Sequence, residues 1–362
     1  MTEKSFWKRV TGSGLLLPVM SLLLVMAVNI VFDILSGNNP FNFFMITLQQ
    51  TTSNGSVLYG RIIDVLNRGS EAAILAIGMT LVVSSSAGTD ISVGSVMSLC
   101  ASFCCMLLAG YGVSSTNELA VPLVVGVLGG ILMGSVCGAF NGTLVAYFRI
   151  QPMVATLILY SAAGAVGLLL CNDLIVYVRN SSYAFFGSFL GPVPTPIVIT
   201  AVCVAVITIL LKKSALGMYI QSVGINAKAS RISGLNSRRI MFLTYVLCGT
   251  FAGIAGIVAS SRITSADSNN IGLYLEMDAI LAVALGGNSL GGGRFNLAGS
   301  IIGAYTIQAI TTTLYALGVS TTQAPVFKAI IVILIVAVQS EPVRAYMKKR
   351  RLARAAREGG AV

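Results

Sequence analysis

The sequence contains no histidine and few charged residues. Asp, Glu, Lys and Arg make up 10% of its 362 residues, whereas a soluble chain carries roughly 25%. Without histidine, neither a Ser-His-Asp nor a Cys-His nucleophile system is available, and histidine cannot serve as a proton relay. Paired catalytic groups are also lacking, so a membrane enzyme is a distant hypothesis.

The cysteines show no C-x-x-C spacing, and without histidine they cannot complete a typical metal site. They lie almost entirely inside apolar runs, which predicts a role in apolar packing. The seven are Cys100, Cys104, Cys105, Cys137, Cys171, Cys203 and Cys248.

Hydrophobic residues make up 56% of the chain, and its mean hydropathy is +0.87. A span needs about 20 apolar residues, so the sequence predicts one all-α polytopic membrane domain over 1–362 with about ten helices. The first apolar run, 15–32, is too long for a signal-peptide core and is predicted to remain as a span. The other predicted spans are 71–87, 93–111, 121–147, 153–171, 195–211, 241–261, 276–287, 297–317 and 326–340.

Positive charge predicts the orientation, because Lys and Arg prefer cytoplasmic loops. If the N-terminus (1–13) is cytoplasmic, eighteen of the 23 basic residues fall on that side and five on the other. Both termini are therefore expected in the cytoplasm. The basic tail at 341–362 carries the largest cluster of the net +11 charge, which predicts contact with anionic lipid headgroups. No nucleic-acid-binding pattern competes with this interpretation.

Two glycine-rich stretches interrupt the apolar pattern, at 88–95 and 285–296. Such backbone is tolerated at membrane depth where it is buried in protein or lines a cavity, so both are predicted to be broken or re-entrant segments. Ala-Ile-Leu-Ala precedes each of them, at 73–76 and 279–282. Repeated halves around a transport path explain this echo, and chance is the alternative. Neither stretch has the G-x-x-x-x-G-K-[ST] pattern, which excludes a Walker site.

Polar residues in or beside apolar spans are the candidates for a translocation path: Asp90, Ser92, Asn141, Gln151, Asn288 and Asn296. Ionisable groups at membrane depth are functional candidates by default, and Glu71, Asp90, Glu276, Asp278 and Arg294 are such groups. For Asp90, capping of the following helix is the alternative to a role in the path. For Arg294, it is anchoring at the interface.

The longest predicted cytoplasmic loop, 212–240, has a helix-compatible centre, with Asn226 as N-cap and Gly234 as terminator. A short helix along the membrane surface would be a docking element for a cytoplasmic partner. A charged connector is the alternative. The residues concerned are Asn226, Ala227, Lys228, Ala229, Ser230, Arg231, Ile232, Ser233 and Gly234.

Four ordered motifs, at 88–95, 150–157, 224–236 and 285–295, together resemble the ribose-type sugar ABC permeases from about residue 60 onward. The segments 64–68, 266–270 and 292–297 are most similar to the galactofuranose-type branch. Thr89 and Ile91 replace the usual Ile and Leu of the first motif, whereas Asp90, Ser92 and Gly94 are kept.

The resemblance implies an inner-membrane importer for a monosaccharide. It implies two permease subunits, identical or different, two cytoplasmic ATPase subunits and a periplasmic sugar-binding protein. ATP and magnesium would bind the ATPase, so this chain itself is expected to need no cofactor. The helix at 226–233 would be the coupling helix. An ATPase-independent secondary transporter and a permease for branched-chain amino acids are the alternatives.

Overall fold

The computed structural model describes residues 15–35, 37, 39, 41–51 and 55–339. The predicted N-terminal segment 1–13 and tail 341–362 lie outside this part of the chain. Two 3₁₀ turns, Asn42–Phe44 and Phe185–Gly187, accompany the α-helices. Within the described residues the α-helices are α1 (Leu16–Leu35), α2 (Arg61–Ser86), α3 (Val93–Ala109), α4 (Leu123–Ala146), α5 (Pro152–Leu170), α6 (Ser181–Ala184), α7 (Thr195–Lys213), α8 (Leu216–Ile225), α9 (Ala227–Ile232), α10 (Ser237–Ile263), α11 (Leu275–Leu285), α12 (Leu297–Ala316) and α13 (Ala324–Gln339).

Each predicted span coincides with a helix. Of the helices that the structure describes, six are long and apolar enough to cross a membrane: α2, α4, α5, α7, α10 and α12. With eleven residues, α11 rises only about 16 Å, as expected for a piece of a broken helix. Ten crossings remain a prediction.

Helix α2 begins at Arg61, ten residues before the predicted start at 71. Apolar sequence begins only near 71, but the charged first turns continue the helix and have partners within the fold. Arg68 Nε lies 3.8 Å from Asp64 Oδ1 one turn earlier. Hydropathy alone therefore placed the helix start too late.

Short β-strands lie in the connections between helices and pair with one another. The described chain is therefore mostly, but not purely, helical. Strand β1 (Thr47–Thr51) pairs antiparallel with β2 (Gly55–Tyr59), with Thr47 opposite Tyr59. Strand β4 (Val176–Val178) lies between β3 (Ser115–Thr116), which is parallel to it, and β7 (Ser265–Ala266), which is antiparallel. Strands β5 (Phe189–Leu190) and β6 (Val193–Pro194) form a hairpin. At two to five residues each, they were too short for the sequence pattern to show.

Helices α2 and α10 form the centre of the bundle. Among the helices long enough to cross a membrane, these two have the largest share of buried residues. All seven cysteines are buried, as the packing interpretation predicted. Five glycines recur every fourth residue along α4, and all are buried: Gly126, Gly130, Gly134, Gly138 and Gly142. A Cβ on Gly134 would meet the carbonyl oxygen of Gly249 in α10. Small residues at this spacing let two helix backbones approach closely.

Candidate functional site

The first glycine-rich break separates α2 from α3 and encloses a buried polar cluster. Asp90 Oδ1 accepts hydrogen bonds from the backbone N–H of Ser92 at 2.9 Å and from its hydroxyl at 2.6 Å. Asn141 Nδ2, in α4, donates to Ser92 Oγ at 2.9 Å. All three side chains are buried. The cluster fixes the turn that leads into α3 and ties it to α4.

The second break, between α11 and α12, is held by two of the predicted asparagines. Asn288 Nδ2 donates to Ser300 Oγ at 2.8 Å, and Asn288 Oδ1 accepts the backbone N–H of Asn296. Asn296 Oδ1 accepts the Gly299 N–H at 3.2 Å and so caps α12. Thr80 of α2 donates to the same Ser300 hydroxyl at 2.7 Å. The second break is therefore bonded directly to α2.

The end of α2, the second break and the end of α8 meet at one junction. The Gly293 N–H donates to the Ser84 carbonyl at 2.9 Å. A Cβ on Gly292 would lie 3.0 Å from the Cβ of Ala87. A Cβ on Gly224, in the last turn of α8, would meet the Ser84 carbonyl oxygen and the Gly293 nitrogen. We call these contacts the glycine junction: Ser84, Ala87, Gly224, Gly292 and Gly293.

The loop 212–240 contains two helices where the sequence predicted one, because α8 precedes α9. The predicted caps of α9 are confirmed. Asn226 Oδ1 accepts the backbone N–H groups of Lys228 and Ala229, each at 3.0 Å. Gly234 has φ +88° and its N–H donates to Arg231. Ile232 projects from this helix with 88% of its surface exposed.

A cavity of about 850 Å³ lies between α9, the start of α10 and the α4–α5 connection. Gln151, which precedes α5, lines it. Its lining contains no acidic residue but five basic ones: Arg149, Lys228, Arg231, Arg238 and Arg239. We call it the basic cavity. It has the charge and the position to receive an acidic surface.

A second, smaller cavity of about 220 Å³ lies between α3, α5 and the residues that precede α11. We call it the polar groove. Its lining residues are Gly94, Ser95, Ser98, Tyr160, Ser161, Gly164, Leu168, Ser268, Asn269, Ile271, Gly272, Leu273 and Glu276. None of the six predicted path residues lines it, so their role in a path remains a prediction.

One wall of the groove is a non-helical segment, 264–274, that runs along α3. Ser268 bonds to Ser98 and to Ser102, and Gly272 packs against Gly94. Gly94 and Ser102 are eight residues apart, which is about 12 Å of helix. Helix α10 ends at Ile263, and Thr264 after it has a left-handed backbone conformation. Turns occupy most of the segment from there to α11. Irregular backbone alongside a predicted span is stable where it lines a cavity.

Sequence reasoning named Glu276 as an ionisable group but missed the rest of this groove. The sequence signal for the groove is the polar run 267–270 followed by Gly272, of which only segment 266–270 contributed to the sequence predictions, as part of the family resemblance. Hydropathy is low in this polar run, which has no long glycine stretch. The run is therefore indistinguishable from an ordinary loop in a hydropathy profile. The serines of α3 and α5 are indistinguishable from packing residues until the helices are placed.

Three of the other ionisable candidates have clear environments. Glu71 Oε1 lies 3.0 Å from Arg262 in α10, and Asp278 Oδ1 lies 2.7 Å from Lys328 in α13. Arg294 is exposed in the second break and takes part in no ion pair among the described residues. Ion pairing thus explains two of the carboxylates as links between helices.

An apolar bundle in which six of the described helices are long enough to cross a membrane has the architecture of a polytopic membrane protein. The family model described as branched-chain amino acid transport system / permease component matches residues 61–339. The chain belongs to this permease family.

Several characterised permeases are similar over most of the chain. The galactofuranose transporter permease protein YtfT of Escherichia coli strain K12 is 44% identical, covering 78% of this chain and 81% of its own. The fructose import permease protein FruF of Bifidobacterium longum is 33% identical over 97% and 95%. The ribose import permease protein RbsC of Escherichia coli strain K12 is 34% identical over 82% and 91%.

Proposed function

We propose that this chain is the membrane-spanning permease of an ABC importer for a monosaccharide in the bacterial inner membrane. The observation that carries the proposal is the exposed, doubly capped helix α9 beside the basic cavity, in a chain whose relatives are named as sugar permeases. The chain has no Walker motif, so ATP and magnesium belong to a separate ATPase. A periplasmic sugar-binding protein and a second permease, identical or different, complete the importer.

The distribution of ion pairs supports an orientation with both termini in the cytoplasm. All five basic residues on the expected outer side have a partner in the fold: Arg61, Arg68, Arg179, Arg262 and Lys328. Four form ion pairs with carboxylates, and the fifth, Arg179, lies over the ring of Tyr177 at 5.4 Å. The described basic residues on the opposite side form no ion pair with described residues. Unpaired cations suit anionic headgroups and an acidic partner surface.

The glycine junction supplies the mechanical connection from ATPase to path. Helix α8 ends at Ile225 and α9 begins two residues later, so force on α9 acts at once on Gly224. Gly224 contacts the last turn of α2 at Ser84 and the second break at Gly293. Because these backbone atoms are close-packed, there is no free space between them to absorb a displacement. Displacement of α9 then shifts α2 and the second break together, which is the movement that alternating access needs.

A sugar suits the chain better than the amino acid in the family description. A cationic side chain and an apolar pocket would best match the carboxylate and side chain of a branched-chain amino acid, whereas the polar groove is lined mainly by hydroxyls, an amide and a carboxylate, without Lys or Arg. A secondary transporter needs ion-coupling groups, and two of the four candidate carboxylates, Glu71 and Asp278, are already paired with cations. These features favour an ATPase-driven sugar permease.

The test is uptake into proteoliposomes that hold the complete importer with ATP on the ATPase side. We expect uptake of at least one of ribose, fructose and galactofuranose, and none of leucine. Ile232→Glu places a charge on the exposed tip of α9, where the partner surface must close. It should lower sugar-stimulated ATP hydrolysis and uptake at least about tenfold, which corresponds to about 1.4 kcal/mol of lost coupling.

Leu190→Glu is the matched control, because it places the same charge at a half-exposed leucine in β5. Its uptake should equal that of the unaltered importer. Full coupling in Ile232→Glu would refute α9 as the docking element. Leucine uptake in place of sugar uptake would refute the substrate class.

A further inference from the structure

Glu276 is the exception among the buried carboxylates of the described chain. Asp33 pairs with Arg61 at 3.0 Å and Asp278 with Lys328, while Asp90 accepts from Ser92 and Asn141. Glu276 is 4% exposed, and no described side chain bonds to its carboxylate. The hydrogen bond that it accepts comes from its own backbone N–H.

The backbone around Glu276 is shaped to leave room for this carboxylate. A Cβ on Gly94 would meet Glu276 Oε2 and lie 2.6 Å from the Gly272 carbonyl oxygen. Gly94 is the second residue of α3, and Gly272 has φ +80°. Any larger residue at position 94 would displace the carboxylate. The fold thus keeps an unpaired acceptor at the wall of the polar groove.

The rest of the groove offers hydroxyl and aromatic groups. Ser95, Ser161 and Tyr160 line it from α3 and α5, and Asn269 lines it from the opposite wall. Hydroxyl groups donate and accept, whereas a carboxylate only accepts. Together they match a ligand that carries several O–H groups and no negative charge.

We infer that the polar groove is the sugar-contacting part of the permease and that Glu276 selects hydroxyl-rich, uncharged ligands by accepting hydrogen bonds from them. This inference rests on the proposed function and adds the substrate site to it. Charged acceptors bind hydroxyl donors more strongly than neutral ones do, so a single carboxylate distinguishes a polyol from an apolar or anionic solute. At about 220 Å³, the cavity is smaller than a typical ligand pocket of ~300 Å³ or more. The groove therefore suits brief contact with a sugar in transit rather than tight binding.

The test uses the complete importer in proteoliposomes and radiolabelled ribose, fructose and galactofuranose. Glu276→Gln keeps size and one acceptor oxygen but loses the charge. For the sugar that the unaltered importer takes up, we expect uptake at limiting sugar to fall about tenfold, as for loss of a hydrogen bond to a charged group. Discrimination against analogues lacking single hydroxyls should also fall. A purely structural role for Glu276 would not change the order of preference among analogues.

Gly164→Leu tests the groove without altering Glu276. A Cβ at Gly164 meets only Ser95 Oγ, at 4.0 Å, so the leucine side chain extends into open space and should block uptake while sugar-stimulated ATP hydrolysis persists. Glu118→Gln, at an exposed carboxylate outside the groove, is the control and should leave uptake unchanged.

The outcomes separate the two claims. If the unaltered importer shows no ATP-dependent sugar uptake, the proposed function fails. If that uptake is present but both Glu276→Gln and Gly164→Leu match Glu118→Gln, the proposed function stands and the groove assignment is overturned. An unchanged preference among analogues in Glu276→Gln would likewise overturn the selecting role of its carboxylate.

Discussion

At the scale of single residues, Asp90 shows how a polar side chain can support a break in a membrane helix. Its carboxylate accepts the N–H and hydroxyl of Ser92, the residue immediately before α3. Asp90 therefore organises the turn itself rather than capping the second or third N–H of α3. Asn141 contributes the remaining donor from α4, at 3.4 Å or more. Each of these bonds needs an acceptor oxygen, and none needs a negative charge.

Replacing Asp90 by Asn or by Ala distinguishes a structural role from a role of its charge in the path. Asn retains an acceptor for the Ser92 N–H, so Asp90→Asn should keep uptake and membrane yield within about twofold. Ala leaves the buried donors unpaired, which costs about 1–3 kcal/mol per group, so Asp90→Ala should lower the yield of folded protein. Yield is measured by size-exclusion chromatography in detergent and uptake in proteoliposomes.

Asp173→Asn, the same change at an exposed residue, is the control for the Asp90 series. Lost uptake in Asp90→Asn at normal yield would contradict the structural role and assign the charge of Asp90 to the path.

The residue types at the breaks were predictable from sequence, whereas their partners were not. Asp90, Asn288 and Asn296 stood out because polar groups are rare in such apolar surroundings. Which cation would neutralise Glu71 or Asp278 depends on contacts between helices far apart in sequence. Only the placed helices separate these paired carboxylates from the unpartnered Glu276.

At the scale of secondary-structure elements, the glycine junction connects α8, α2 and the second break. The contact is direct because Gly224 has no side chain to separate its backbone from the carbonyl of Ser84 and the nitrogen of Gly293. The N–H···O bond from Gly293 to Ser84 passes through the same point. A side chain at position 224 would therefore disturb the end of α2 and the second break at once.

Gly224→Ala should lower stability by about 1–3 kcal/mol, as for overpacking of a close contact, and should uncouple ATP hydrolysis from uptake. Gly291→Ala is the matched control in the second break, because its nearest atom, Ser289 Oγ, is 3.4 Å from the added Cβ. Melting temperature in detergent and the ratio of sugar imported to ATP hydrolysed are the measurements. Equal behaviour of the two variants would show that the junction transmits no force.

The long helices and both glycine-rich breaks could be predicted because apolar length and glycine content mark them locally. Segment 264–274 could not, since its non-helical course depends on packing against α3 through Ser98, Ser102 and Gly94. The five glycines spaced four residues apart in α4 can be read from the sequence, but the sequence does not show which helix packs against them. Placement of α10 against α4 supplies that information.

At the scale of the whole molecule, we propose that the chain forms a translocation path that is moved by force from a separate ATPase. Its basic cavity and α9 lie together at one part of the surface, and the glycine junction lies next to them. The polar groove, between α3 and α5, is lined by other residues. Asp33, Glu71 and Asp278 are paired with cations within the fold, so Asp90 and Glu276 are the buried carboxylates of the described chain that have no cationic partner, and few groups remain for an ion-driven cycle. Movement is expected to enter through α9 and to reach the groove through α2 and α3.

The most direct test of this account is sugar flux through the purified chain alone in liposomes. Under an imposed proton, sodium or sugar gradient we predict no flux of ribose, fructose or galactofuranose above that of empty liposomes. Flux should appear when ATPase, binding protein, ATP and, for a heteromeric importer, the second permease are supplied together. Gradient-driven sugar uptake by the chain alone would contradict the account and identify a secondary transporter.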